Sequence, residues 1–206
     1  MRILNLYAGI GGNRKLWKDV DVTAVEFDKN IAAIYQNFFP KDTVIIADAH
    51  QYLLDHYKEF DFIWSSPPCP THSCLVFSNE SRMYNCKKMK YPDMKLYQEI
   101  ILLKSFRNCK FVVENVNPYY KPLIENQLIG RHLLWSNFLI LPFNKKDNRK
   151  HVDIENDSTV YGVCLSQFKI RDKKKLLRNM VNPEVGKHIL DCARNYQIKS
   201  EQLCLF

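Results

Sequence analysis

Two apolar strand patterns in this sequence each end in a side chain that can take part in chemistry. The first, Phe60–Ser65, leads into Ser66-Pro67-Pro68-Cys69, which presents a cysteine directly after two prolines. The second, Lys110–Val113, is followed by Glu114-Asn115-Val116. When such strands are parallel neighbours, their carboxyl ends meet at one edge of the sheet. A cysteine and a glutamate at that edge favour an enzyme that forms a covalent intermediate.

Strand and helix patterns alternate through the first two thirds of the 206 residues, which predicts an α/β fold with helices on both faces of a mostly parallel sheet. The predicted strands are Ile3–Tyr7, Val22–Phe27, Thr43–Ala47, Phe60–Ser65, Lys110–Glu114 and Leu133–Pro142. The predicted helices are Asn13–Lys18, Lys29–Phe38, Gln51–His56, Tyr91–Asn108 and Glu184–Ile198. Loops are predicted for Thr71–Lys90 and Phe143–Ser158, which are polar and lack periodicity.

The charge balance is basic, with a formal net charge of +8. Basic residues concentrate in the last third of the chain, at Lys145, Lys146, Arg149, Lys150, Lys169, Arg171, Lys173, Lys174, Lys175 and Arg178. Such a cluster suits a polyanionic partner, which gains from counterion release, and it equally suits a solvated surface.

The sequence predicts a cytoplasmic protein. No stretch approaches the roughly 20 apolar residues of a membrane span, and the first residues enter a strand pattern rather than a secretory signal. Seven cysteines at scattered spacings fit a reducing compartment.

A glycine-rich turn, Leu6–Gly12, joins the first strand to the segment that follows. Glycines there allow a tight turn and a close approach of the backbone to a ligand. The second strand ends in Glu26, where nucleotide-binding α/β folds place a carboxylate for ribose hydroxyls. Asp48 follows the third strand and fits either an adenine amino group or a helix N-cap, while Asp28 is predicted to be an N-cap.

Cys69 is predicted to be a nucleophile rather than a packed core cysteine. The prolines around it, Pro67, Pro68 and Pro70, suppress regular structure and fix the direction of the thiol. Zinc binding with His72, Cys74 and Cys86 is an alternative, although the paired C-x-x-C spacing is missing.

Glu114 is predicted to be partly buried and protonated, and so able to donate to a ring nitrogen of a heterocycle. The alternative is a structural carboxylate that binds loop N–H groups, and Asn115 is predicted to brace a loop.

These motifs, in their order along the chain, resemble the cytosine-5 DNA methyltransferase family, which uses S-adenosylmethionine. The matching pieces are Leu6–Gly12, Glu26, Asp48, Pro67–Cys69, Glu114–Val116 and Asn179–Pro183. The resemblance covers about residues 1–141 and 176–195. It implies a Rossmann-like class I methyltransferase sheet with helices on both faces and a very small C-terminal recognition insert. The sequence departs from the family pattern at Asn5, where an aspartate is usual, and at Pro70, where a glutamine is usual.

By this resemblance, Cys69 attacks C6 of a cytosine, Glu114 stabilises or protonates N3, and C5 receives the methyl group. Arg131 is similar to the arginine that contacts the cytosine O2, although Ile129 replaces the middle arginine of that motif. The cofactor residues that the resemblance implies are Tyr7, Ala8, Gly9, Ile10, Gly11, Gly12, Glu26, Phe27, Asp48, Ala49, Pro67, Asn179 and Val181. The target base has to leave the stack.

The resemblance also implies two parts: a catalytic domain at 1–141 with 176–206, and a short basic recognition insert at 142–175. Phosphate contacts are expected from Lys145, Lys146, Arg149, Lys150 and Lys169. So short an insert implies that recognition of the target is lax or short, or that a protein partner or a second copy supplies it. The target is most simply double-stranded DNA, and the biological role is restriction-modification, phage self-modification or regulation. The alternatives are a transfer-RNA methyltransferase, whose Ser66–Cys69 form is similar, and a catalytically idle nucleic-acid-binding subunit.

Overall fold

The computed structural model describes residues 1–73, 91–106, 109–130, 132–143 and 159–195. Within them, seven strands form one sheet: β1 (Arg2–Leu6), β2 (Asp21–Glu26), β3 (Thr43–Ile46), β4 (Phe62–Ser65), β5 (Lys110–Val116), β6 (Gln127–Ile129) and β7 (His132–Ser136). Their order across the sheet is β3-β2-β1-β4-β5-β7-β6. Strand β7 runs antiparallel to both of its neighbours, and the other pairs are parallel. This architecture confirms the predicted Rossmann-like α/β sheet.

The strand order reverses between β1 and β4, which lie side by side with Ile3 opposite Phe62 and Leu6 opposite Ser65. Ligands of open α/β sheets bind at the carboxyl ends of the strands that flank such a reversal. The glycine-rich turn leaves the end of β1, and the cysteine-bearing loop leaves the end of β4. The topology therefore brings these two segments to the same place.

Helices cover both faces of this sheet. They are α1 (Lys29–Phe38), α2 (Ala49–His56), α3 (Lys95–Ser105), α4 (Lys173–Asn179) and α5 (Pro183–Asn195), with a 3₁₀ turn at Tyr57–Glu59. A small hairpin of β8 (Thr159–Val160) and β9 (Val163–Cys164) precedes α4. Among the described residues, no helix combines the length and apolar character needed to cross a bilayer.

The core has two halves, one on each face of the sheet. On one face, Leu4, Leu6 and Val113 pack against apolar side chains of α2 and α3. On the other face, Ile3, Trp64 and Val112 pack against Ile189, Leu190 and Ala193 of α5. Alternate residues along each strand thus enter opposite halves of the core, as the pleat of a strand requires.

The predicted helix at Asn13–Lys18 is wrong, because residues 12–16 form successive turns instead. Three side chains in that stretch bond to distant parts of the protein. The amide of Asn13 donates to Asn5 Oδ1 at 2.8 Å, and the indole of Trp17 donates to the carbonyl of Gly186 at 3.0 Å. Arg14 binds Asp42 through two nitrogens at 2.8 and 2.9 Å. These tertiary contacts override the local helical preference.

Other boundaries also differ from the sequence prediction. The helix predicted at Tyr91–Asn108 is limited to Lys95–Ser105, and the strand predicted at Leu133–Pro142 ends at Ser136. The three-residue strand β6 was not predicted, because so short a segment shows no periodicity. The predicted loop at Thr71–Lys90 lies outside the described residues from position 74 onward, and the predicted loop at Phe143–Ser158 from position 144 onward.

The hairpin and the segment after it pack against the glycine-rich turn. Val163, Leu165, Leu177 and Met180 share one apolar cluster with Ile10 of that turn. Val163 and Leu165 of the predicted insert therefore pack on the glycine-rich turn, and the division into 1–141 with 176–206 and 142–175 stays a prediction.

Candidate active site

The glycine-rich turn bends back against the end of β2. Three of its residues, Tyr7, Gly9 and Gly11, have positive φ angles of 54°, 55° and 78°. Glycine adopts that region without strain, and the strain at Tyr7 has to be offset by contacts elsewhere. The Gly9 N–H donates to Glu26 Oε2 at 2.9 Å, and the Asp28 N–H donates to Glu26 Oε1 at 3.0 Å. Glu26 therefore fixes the turn relative to β2.

The segment after α4 lies against the other side of the turn. A side chain on Gly12 would overlap Met180 and the carbonyl oxygen of Val181. Only glycine fits this position, because backbone atoms cannot move aside as a flexible side chain can. The structure thus brings Val181 to the turn, and Asn179 ends α4 two residues earlier.

Two apolar side chains stand exposed at the ends of β2 and β3. Phe27 is 77% exposed and Ile46 is 61% exposed, although large apolar residues usually gain from burial. Glu26 and Ile46 are paired in the parallel ladder, so Phe27 and Ile46 belong to the same edge of the sheet. Phe27 and Ile46 thus form an exposed apolar surface beside Glu26.

Asp48 is the N-cap of α2, which is one of its two predicted roles. Its carboxylate accepts from the N–H groups of His50 at 2.9 Å and Gln51 at 3.1 Å. These bonds lower the pKa of Asp48, and the bond from Gln51 has the largest effect. Its side chain is exposed, and the neighbouring Ala49 is buried. Asp28 caps α1 in the same way, which confirms that prediction.

The loop after β4 holds Cys69 at the same edge of the sheet. Pro67 is buried, Pro68 is exposed, and Cys69 is partly buried. The Cys69 carbonyl accepts from the N–H groups of His72 at 3.0 Å and Ser73 at 3.1 Å, which closes a turn directly after the thiol. The loop is thereby shaped by backbone bonds on the carboxyl side of the cysteine.

Asn115 ties this loop to the end of β5. Its side-chain amide donates to the Pro67 carbonyl at 3.0 Å, and its Oδ1 accepts from the Val116 N–H at 2.9 Å. Asn115 is buried, so leaving this amide unpaired would cost free energy. The prediction that Asn115 braces a loop is confirmed.

Glu114 lies next to Asn115 and is 8% exposed. Its Oε1 lies 2.9 Å from Nδ1 of His132, the first residue of β7. Strands β5 and β7 are antiparallel neighbours, and this pairing brings the start of β7 beside the end of β5. Sequence reasoning missed His132, whose only signal was its place directly after the predicted Arg131.

A second imidazole follows the cysteine, and this one is buried. His72 Nδ1 lies 2.5 Å from the hydroxyl of Tyr120, and His72 Nε2 is buried with no partner within the described part of the chain. Burial lowers the pKa of His72. The ring therefore favours the neutral form. This contact joins the turn after Cys69 to the segment after β5.

Beneath the glycine-rich turn, one buried carboxylate accepts three hydrogen bonds. Glu99 of α3 accepts from the Tyr7 hydroxyl and from the Ser65 hydroxyl, each at 2.6 Å, and it lies 2.9 Å from Nδ1 of His50. Sequence reasoning missed this cluster. The available signal was Glu99 itself, an acidic residue on the helix face that carries Leu96 and Leu103.

Several predicted site residues lie outside the described residues: Arg131, Lys145, Lys146, Arg149 and Lys150. Lys169 is described and exposed. For the zinc alternative, Cys74 and Cys86 also lie outside, and the described residues contain no group of three suitable side chains.

The model of the family of C-5 cytosine-specific DNA methylases matches residues 1–125, which is more than half of the chain. The chain belongs to this family. The matched part contains the glycine-rich turn, Glu26, Cys69 and Glu114. The family membership supports methyl transfer as the chemistry and S-adenosylmethionine as the cofactor that the family generally uses.

Similar solved structures include methyltransferases. A DNMT2 mutant from Spodoptera frugiperda is 25% identical over 56% of this chain and 35% of its own, with a TM-score of 0.38. A protein from Escherichia coli, described as a DNA modification methyltransferase encoded within a prophage, is 19% identical over 59% of this chain and 33% of its own, with a TM-score of 0.39. The chain thus spans about a third of the length of these two proteins. No curated protein matches it.

Proposed function

We propose that this protein transfers a methyl group from S-adenosylmethionine to C5 of cytosine in DNA, through a covalent adduct with Cys69. One observation carries the proposal. Asn115 ties the Pro67 carbonyl to the end of β5, so the loop with Cys69 and the strand end with Glu114 belong to one assembly next to the glycine-rich turn. The reaction needs a nucleophile and an acid at opposite edges of one ring, together with a methyl donor.

The described residues fit the cofactor. A side chain at Gly9 would lie in open space, which leaves the backbone of the turn accessible to a ligand there, whereas Gly11 and Gly12 pack closely against the protein and hold the turn in place. A carboxylate offers about four acceptor sites, so Glu26 can bind ribose hydroxyls in addition to its two backbone N–H groups. Phe27 offers an exposed apolar face to the adenine ring.

We assign cofactor binding to the segments at the ends of β1 to β4 and to the segment after α4. Their residues are Tyr7, Ala8, Gly9, Ile10, Gly11, Gly12, Glu26, Phe27, Asp48, Ala49, Pro67, Asn179 and Val181. The bound cofactor supplies the methyl group from its sulfonium. In this assignment Asp48 both caps α2 and binds the adenine amino group.

Cys69 acts as the nucleophile. As a thiolate it adds to C6 of the target cytosine, while Glu114 stabilises or protonates N3. This addition makes C5 a carbon nucleophile that takes the methyl group. Loss of the C5 proton and elimination of Cys69 then restore the ring, which gives 5-methylcytosine and S-adenosylhomocysteine.

Glu114 is suited to its role by burial and by His132. At 8% exposure its carboxyl group acts in a medium of low polarity, where hydrogen bonds are stronger than in water. His132 bonds to Oε1 and fixes the orientation of the carboxyl group. We assign contact with the cytosine O2 to Arg131.

The nucleic acid partner is expected to bind through its phosphates. Lys169, Arg171, Lys174, Lys175 and Arg178 are exposed, and none of them makes an ion pair within the described residues. Such unpaired cations release counterions from a phosphate backbone. We assign Lys145, Lys146, Arg149 and Lys150 to the same partner, most simply double-stranded DNA, and a second copy or a protein partner can extend target recognition.

The proposal is tested by transfer of a labelled methyl group to unmethylated duplex DNA and, in parallel, to unmodified transfer RNA. Cys69→Ala removes the nucleophile and should abolish transfer while S-adenosylhomocysteine still binds. Cys164→Ala is the matched control, because Cys164 lies in the β8–β9 hairpin rather than in the loop after β4. The control should transfer like the wild type.

Label in DNA from the wild type and Cys164→Ala, but not from Cys69→Ala, would support the proposal. Label only in RNA would replace DNA by RNA as the substrate. Transfer by Cys69→Ala would overturn the covalent mechanism. Binding of S-adenosylhomocysteine without transfer to either nucleic acid would favour the idle binding subunit.

A further inference from the structure

The buried carboxylate of Glu99 has no part in the chemistry proposed above. Glu99 is 1% exposed, and an isolated carboxylate at such a position would be strongly unfavourable. Here three donors surround the carboxylate: the hydroxyls of Tyr7 and Ser65, and Nδ1 of His50. A carboxylate only accepts hydrogen bonds, so His50 carries a proton on Nδ1 in this arrangement.

Each donor comes from a different segment at the carboxyl edge of the sheet. Tyr7 opens the glycine-rich turn, and Ser65 is the last residue of β4, four positions before Cys69. His50 lies in the first turn of α2, two positions after Asp48. The side chain of Glu99 therefore bonds to three segments. The glycine-rich turn and the start of α2 are assigned to the cofactor, and the end of β4 leads into the Cys69 loop.

The contact with Tyr7 is made under strain. Tyr7 has a φ of 54°, a region that is unfavourable for a residue with a side chain. The hydrogen bond at 2.6 Å holds the tyrosine in that conformation. Removing the acceptor would let the turn relax away from the geometry that directs its backbone towards a ligand.

We infer that Glu99 is a positioning residue that sets the glycine-rich turn, the start of α2 and the Cys69 loop relative to one another. The inference rests on the proposed function for the roles of those segments. In this arrangement, loss of one hydroxyl disturbs one segment, and loss of the carboxylate disturbs all three. A carboxylate that merely stabilised the fold would show no such separation.

Three variants test the inference: Glu99→Gln, Tyr7→Phe and Ser65→Ala. The measurements are the affinity for S-adenosylhomocysteine by calorimetry, the methyl transfer rate at saturating cofactor, and the rate of alkylation of Cys69 by iodoacetamide, followed by mass spectrometry. Glu125→Gln is the matched control, because Glu125 is exposed and belongs to neither site. Thermal unfolding shows whether each variant is folded.

Tyr7→Phe should weaken binding roughly tenfold and leave the alkylation of Cys69 close to that of the wild type. Ser65→Ala should do the reverse: it should change the transfer rate and the alkylation of Cys69 and leave the affinity close to that of the wild type. Glu99→Gln should change all three, and adding Ser65→Ala to Glu99→Gln should have little further effect.

The inference would be overturned if a folded Glu99→Gln behaved like Glu125→Gln. It would also be overturned if Tyr7→Phe and Ser65→Ala each changed both the affinity and the alkylation of Cys69, since that pattern indicates a general loss of structure. The two single-hydroxyl variants decide the matter if Glu99→Gln does not fold. A wild type that binds no S-adenosylhomocysteine would contradict the proposed function itself.

Discussion

At the scale of single residues, the site depends on side chains that fix backbone rather than on side chains that face a ligand. Glu26 binds two backbone N–H groups, and Asn115 binds a backbone carbonyl and an N–H group. Gly12 contributes by having no side chain, because any Cβ would overlap Val181. Such contacts hold loops in place before a ligand arrives, and preorganisation of this kind lowers the cost of binding.

One residue-scale prediction concerns pH. The hydrogen bond to Glu99 raises the pKa of His50, and this effect outweighs burial and Lys95, which lower the pKa. A raised pKa means that the folded protein binds the proton more tightly than the unfolded chain. The stabilisation by His50 is therefore fully present below the unfolded pKa of about 6.5, and it is lost as the pH rises through the higher folded value.

We therefore expect His50→Gln to destabilise the protein by about 1 kcal/mol at pH 6, after allowing for solvent screening of the partly exposed ring, and by less at pH 8.5. Urea unfolding at the two pH values measures this difference. His56→Gln is the control, because His56 pairs with the exposed Glu59. An equal loss for His50→Gln at both pH values would contradict the assignment.

At the scale of elements, the residues proposed to be catalytic lie at or after the ends of the adjacent strands β4 and β5, and one side chain connects these ends. We predict that Asn115→Ala lowers the saturated methyl transfer rate at least tenfold, because the Pro67 carbonyl loses its donor and the Cys69 loop is held less firmly. The affinity for S-adenosylhomocysteine should change much less. Asn117→Ala is the control, since Asn117 is exposed in the same segment. Equal rates for the two variants would show that the brace is unimportant.

Elements with strong periodicity could be predicted from the sequence, and those held by tertiary contacts could not. Helix α1 has the predicted bounds, Lys29–Phe38, because a capping Asp28 precedes an amphipathic pattern. The segment at residues 12–16 forms turns because two of its side chains bond to partners outside the segment. Asn13 bonds to Asn5 of β1, and Arg14 bonds to Asp42, which lies 28 positions later in the chain. No local pattern reveals such partners.

The candidate site divides in the same way. The sequence marks Cys69, Glu114 and Glu26 as candidates, because each lies at or after the end of an apolar strand pattern and carries a reactive or charged group, and their roles stay predictions. It does not mark Glu99 and His132, because their roles depend on which strands and helices become neighbours. Sequence motifs thus mark the residues proposed to meet the ligands, and the fold supplies the residues that position them.

At the scale of the whole molecule, the exposed basic residues near α4 face no acidic partner within the described residues, and the same segment packs on the glycine-rich turn. A nucleic acid bound there would lie beside the cofactor segment.

We predict that Lys174→Ala combined with Lys175→Ala weakens DNA binding and reduces the slope of log affinity against log salt by about 1 for each phosphate that a lysine no longer neutralises. Lys41→Ala with Lys58→Ala, two exposed lysines outside the basic segment, is the control. Fluorescence anisotropy over a range of salt concentrations measures both slopes, and identical slopes for the two double variants would mean that the phosphates bind elsewhere.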